Sequence, residues 1–144
     1  MAVLSTSWQF WAFLAAIFAA LTAIFAKIGV DNVNSDFATF LRTLVVLVVL
    51  GLILSVTRKF QSLSSISPRS AVFLVLSGLA TGASWLCYFR ALKLGNASQV
   101  APVDKLSVVL VAVFGVLILG EHLSVMGWIG VALVGTGAVV MALS

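Results

Sequence analysis

The stretch FATFLRTLVVLVVLGLILSVT, running from Phe37 to Thr57, decides the fold. It carries one charge, Arg42, and as a helix rising 1.5 Å per residue it would extend about 32 Å, enough to cross a bilayer's hydrocarbon core. A helix satisfies its backbone N–H and C=O groups internally, which lipid demands of any single segment that crosses it. Arg58 and Lys59 follow at once, placed as headgroup anchors.

Working outward, four more runs of the same kind occupy about 8–29, 71–92, 97–119 and 124–143. Hydrophobic residues make up 62% of the chain and charged residues 8%, against about 25% charged in a soluble domain. The expected fold is therefore all-α: one membrane unit of five transmembrane helices filling 1–144, with no room for a soluble insert. Polar breaks separate the spans. Asp31, Asn32, Asn34, Ser35 and Asp36 follow the first. Ser62, Ser64, Ser65, Ser67, Pro68 and Arg69 make the second break, where helix is disfavoured. Gly95-Asn96 supplies a turn, since both residues tolerate positive φ, and Ser124 is placed to cap the last helix. The leader before Trp8 has no Lys or Arg, and the apolar run after it exceeds the roughly 7 to 15 residues of a signal core. The first span is expected to be retained.

Enzyme chemistry finds no foothold in these residues. Cys87 is the single cysteine, is expected to be buried and inert in its apolar sequence, and has no second thiol to pair with. His122, the single histidine, cannot make a metal site alone. No nucleophile and base arrangement is visible, and no cofactor motif. The net charge of +4 comes from basic residues scattered along span ends, which suits anionic membrane lipid rather than nucleic acid.

The basic residues at the span ends divide evenly between the two membrane faces. Arg58, Lys59 and Arg69 belong to one side, and Lys27, Arg90 and Lys93 to the other. Counting Arg42 and Lys105, which lie inside their spans nearer the second of these faces, would tilt the balance modestly. Lys and Arg asymmetry ordinarily sets orientation, so this balance fits either a single orientation with weak bias or insertion both ways. Many secondary transporters consist of two repeats related by an axis in the membrane plane, with substrate at the midplane between them. A unit with an odd number of spans, duplicated in tandem, is forced into that inverted relation. No duplication lies within this chain, so a second polypeptide would supply the partner, most economically another copy. Small residues at four-residue spacing, Ala12, Ala16 and Ala20 in the first span and Gly78 and Gly82 in the third, would allow helices to approach closely.

Ionisable residues inside spans are stronger evidence, because a charge near the bilayer centre is expensive unless paired or wet. Arg42 follows Asp36 by six residues, roughly 9 Å along a helix. It either snorkels to the interface or turns inward as a fixed positive charge for an anionic group. Asp104 and Lys105 follow Pro102. If the fourth helix begins at Pro102, a favoured first-turn residue, both charges sit near the headgroups. If it begins near Ala97, they lie about two turns deep, and the proline leaves a hydrogen bond unmade. Adjacent helical side chains point about 100° apart, so each of the two is expected to need a partner elsewhere or water. An acid at such depth could carry a proton between the two sides, which makes Asp104 the candidate for coupling. Trp85 and Tyr88 share a face of the third span, as do Ser84 and Tyr88. They form either core packing with an interfacial belt or the wall of a cavity. Glu121, at the end of the fourth span, opposes the helix dipole and is expected to contact the fifth span or a basic neighbour.

The run from Ala97 to Val109, followed by Leu119-Gly120-Glu121 and a Gly-rich last span, resembles the repeat unit of the EamA family in the drug/metabolite transporter superfamily. Ser77 to Trp85, with Tyr88-Phe89-Arg90-Ala91-Leu92 beyond, resembles that unit's third helix, and Ala23-Ile24-Phe25-Ala26-Lys27 its first. The likeness covers essentially the whole chain. Small multidrug transporters are less similar, having four helices and an acid in the first. The resemblance implies a ten-helix assembly of two inverted units in the cell membrane, exporting or importing small metabolites through a central cavity. One unit per chain implies an antiparallel homodimer, pairing with a related half-size subunit, or a non-transporting accessory role. Carried over by position, Ser84, Trp85 and Tyr88 would face the cavity, with Asp104 and Lys105 at its end.

Overall fold

The computed structural model describes residues 7–144; the charge-free leader at residues 1–6 lies outside them. Six α-helices follow in order: α1 Trp8–Val30, α2 Ser35–Thr57, α3 Pro68–Leu94, α4 Ala97–Asp104, α5 Leu106–Leu119 and α6 Val125–Leu143. A 3-10 turn, Leu63–Ser65, lies between α2 and α3. With α4 and α5 taken together, five segments are long and apolar enough to cross a membrane. Their surfaces match that medium: Leu47 is 68% exposed, Leu117 75% and Val140 61%.

The helices belong to two compact units, one formed by Gly29–Lys93, the other by the first span up to Ile28 with Leu94–Ser144. In the first of these, α2 opens on Asn34, whose side chain accepts from the Asp36 and Phe37 amides at 2.9 and 3.2 Å. That cap satisfies two of the four N–H groups a helix start leaves open. Along α2 the hydroxyls of Thr39, Thr43, Ser55 and Thr57 each donate to the carbonyl four residues back, at 2.7 to 2.9 Å, which removes them as liabilities in an apolar surrounding. Helix α2 ends at Arg58 in the left-handed conformation, φ 52°. Helix α3 begins at Pro68, earlier than composition suggests. Proline at the first helical position has no N–H to leave unsatisfied, and Ser67 Oγ accepts from the Ser70 amide at 3.1 Å. A residue that reads as a breaker is here an initiator.

In the other unit, Lys27 Nζ donates to the Gly95 carbonyl at 2.9 Å, tying the end of α1 to the turn before α4. That turn uses no positive φ: among the described residues only Arg58 and Gly120 adopt one, and Asn96 is extended (φ −75°, ψ 142°) as the residue before α4. The fourth span starts at Ala97, so Pro102 lies inside α4 and the carbonyl of Ser98 loses its usual donor. Regular helix stops at Lys105 (ψ −6°), whose N–H is shared between the Ala101 and Pro102 carbonyls. Helix α5 resumes at Leu106.

Helix α6 packs against both α4 and α5. A methyl added to Gly135 would lie 3.2 Å from Val109 Cγ2, so glycine sets the closeness of that contact. Ser124 caps α6 by accepting from the Gly127 amide at 3.1 Å. Helix α5 ends at Gly120, φ 69°, where the Gly115 carbonyl accepts the cap N–H and that of Glu121.

Gly120→Ala should lower stability by about 1 kcal/mol, because a Cβ in the left-handed region meets the following carbonyl. Gly51→Ala, where an added methyl meets nothing within 4 Å, should not. Thermal unfolding in detergent followed by tryptophan fluorescence checks both.

Candidate functional site

Helices α2 and α3 of the Gly29–Lys93 unit meet through their charges. Arg90 donates through Nε and Nη2 to the two Asp36 oxygens, at 2.9 and 2.8 Å, a fork-to-fork pair that fixes orientation as well as distance. Lys93 Nζ donates to the Val33 carbonyl at 2.6 Å. These contacts bring the start of α2 beside the end of α3. Both residues were legible as interface anchors by position, but their partners, 54 and 60 residues away, were not.

With α2 and α3 so placed, Arg42 reaches across to α3. Its guanidinium carbon lies 4.1 Å from the centre of the Trp85 ring and 5.6 Å from that of Phe89, and Tyr88 is within electrostatic reach. Thr39, one turn before Arg42, is buried, as are Phe89 and Leu92. Arg42 itself is half-buried, while Ser84 is exposed. Phe89 stands four residues after Trp85 and shares its stripe, so the i, i+4 spacing that paired Ser84 with Tyr88 could have found it. Among the described residues the Arg42 guanidinium makes no ion pair and no hydrogen bond. Stacking of this kind contributes about 0.5 to 2 kcal/mol, less than the several kcal/mol that removing a cation from water costs. The remainder needs water or an anion at the guanidinium edge.

Asp104 and Lys105 belong to the other unit, at the break between α4 and α5. Here the sequence expectation is corrected: Lys105 Nζ lies 3.0 Å from Asp104 Oδ2. The 100° separation holds for a regular helix, but the backbone leaves helical geometry at Lys105, and a four-carbon stem can then curl back. The side chains are 54% and 34% exposed, so the pair stabilises weakly, by up to about 1 kcal/mol. Of the two partners expected for Glu121, the basic neighbour is not found: Glu121 makes no ion pair among the described residues, and its carboxylate folds over Gly115, where an added Cβ would meet Oε2 at 2.7 Å. Cys87 is exposed on α3 rather than buried.

A groove of about 500 Å³ opens between α5 and α6, lined by Val109, Trp128, Ala132 and Gly135 among others, with no charged group. Among the described residues no three His, Cys, Asp or Glu side chains are grouped to hold a metal.

Residues 6–143 match the model of the EamA-like transporter family. The chain belongs to that family. A protein of Sinorhizobium sp, described as an uncharacterized transporter in the cobO 3′ region, is 61% identical over 139 residues, or 96% of this chain and 99% of the relative. No solved structure matches. Membership of the EamA-like family and five spans make this a multi-pass membrane protein with a transporter role, consistent with the cell membrane. The stacked Arg42 and the helix break at Lys105 are thus features of one EamA-type unit.

Trp85→Leu should destabilise this unit by about 1 kcal/mol more than Trp85→Phe, because phenylalanine keeps a π face under the guanidinium and leucine does not. Comparing the unfolding midpoints of the two variants in detergent checks the contact. Equal midpoints would mean that the stack contributes nothing.

Proposed function

We propose that the protein is a half-size secondary transporter of small metabolites, working as an antiparallel homodimer whose two units enclose a central translocation cavity. The observation that carries this reading is one family unit with an odd number of spans. An inverted pair of such units has ten helices and a midplane site between them, and one polypeptide of this kind supplies half. The relative supports it: 99% of its length is covered by a 139-residue match, which leaves it room for one unit as well.

Arg42, Ser84, Trp85 and Tyr88 form the cavity-facing set from α2 and α3. Asp104 and Lys105 contribute from the helix break. Freed carbonyls and a paired acid at a break suit a wet pathway, because irregular backbone at membrane depth is tolerated only where protein or water covers it. The residues act by binding and charge, not by bond chemistry, so the reading is of a transporter and not an enzyme.

The charge balance provides the test. Ser64→Lys with Ser65→Lys should lock most chains in one orientation, and Asp31→Lys with Asn32→Lys in the other. Differently tagged, oppositely locked chains should co-purify, whereas two tags on the same locked form should not. Proteoliposomes made from the opposite pair should take up radiolabelled metabolites, and those from either form alone should not. Wild-type chains that insert one way only, and reconstitute without uptake, would instead indicate an accessory subunit.

A further inference from the structure

We infer that the cavity of this transporter takes a small metabolite bearing a carboxylate or phosphate oxyanion, gripped by the edge of the Arg42 guanidinium. The inference rests on the transporter reading above and names the substrate class of the same site.

A guanidinium has two kinds of surface. Its faces stack on π systems, and its five N–H donors all point outward in the molecular plane. Trp85 and Phe89 engage Arg42 by stacking, so they hold the group without using its donors. Among the described residues no carboxylate pairs with it: Asp36, an acid of the same helix, is held at both oxygens by Arg90. Phe89 is buried, as is Thr39 one turn before Arg42, and the Arg90–Asp36 pair ties the same two helices together. The cation is thereby pre-positioned, half out of solvent and unneutralised. An oxyanion that accepts two parallel N–H bonds completes it with little further ordering. A cationic or neutral substrate would leave the charge unanswered at membrane depth.

Two other places carry less. The α5–α6 groove is apolar and shows nothing that says what covers it, and the Asp104–Lys105 pair already neutralises itself.

The test uses the intact protein in phosphatidylcholine vesicles, treated with 2,3-butanedione and read by peptide mass spectrometry at each arginine. Arg42 should react in chloride, and succinate or inorganic phosphate at matched ionic strength should slow its modification at least fivefold. Arg58 and Arg69, both exposed, serve as internal controls and should be unaffected, and choline should protect nothing. Arg42→Lys keeps the charge but loses the fork, and should weaken succinate affinity by about 10- to 100-fold, the equivalent of one charge-assisted hydrogen bond. Several results would overturn the inference: no reaction at Arg42 in chloride, equal rates with and without the anions, or protection only when phosphatidylglycerol is added. The last would assign the oxyanion to a lipid headgroup. Uptake by proteoliposomes together with an unprotected Arg42 would remove the anion class and leave the transporter reading standing.

Discussion

A polar group carried into hydrocarbon has no water to turn to, so each one must bring its partner with it, and this constraint shapes every element of the chain. Helices satisfy the backbone within themselves. Asn34 and Ser124 cover open amides at helix starts, while Pro68 begins α3 without an amide to cover. Hydroxyls along α2 return to carbonyls of their own helix. Three pairings at the span ends follow the same rule, with charged groups meeting one another or a backbone carbonyl: Arg90 with Asp36, Lys93 with Val33, Lys27 with Gly95. The exceptions are therefore informative. Among the described residues Arg42 has stacking partners but no acceptor, and Pro102 takes away a hydrogen bond just before the backbone breaks at Lys105.

The same rule bears on the proposed pairing of two such units. A pathway across a membrane must be wet at its centre and sealed from lipid around it, and polar groups at depth mark where the water runs. The groups proposed for that role are on α2, α3 and at the α4–α5 break. In an inverted pair each such group would appear twice, related through an axis in the membrane plane, so that the site is presented equivalently to the two sides. A near-even division of Lys and Arg between the faces gives the insertion machinery little basis for choosing one orientation, and under the proposed reading one gene product would then supply both halves.

Much of this was legible in the residues, and what was not has identifiable causes. Span existence followed from composition, since twenty or so apolar residues have few other fates. The Ser124 cap followed from local rules, and Trp85 and Tyr88 were singled out by helical spacing. The Arg90–Asp36 pair escaped because it joins residues on different helices, and spacing rules speak only within one helix. Asp104 and Lys105 were held apart by assuming regular geometry through a segment where Pro102 upsets it. Pro68 was counted as a breaker because its composition cannot say whether a proline stands inside a helix or at its first position. Glu121 was expected to contact the fifth span or a basic neighbour; it makes no ion pair among the described residues, and a sharp cap at Gly120 turns it back over Gly115. The stacking of Arg42 sharpened an open choice: the side chain reaches across to α3.

The central claim is that chains of both orientations pair to make one transporter, and labelling from defined sides of the membrane tests it most directly. Cys87→Ser with Ser64→Cys places a single thiol in the exposed link between α2 and α3. Intact cells expressing it would be treated with a membrane-impermeant maleimide, before and after permeabilisation. With no strong charge bias to select one insertion, about half of the molecules should label from outside and the rest only after permeabilisation. Labelling of all molecules from one side alone would contradict the account.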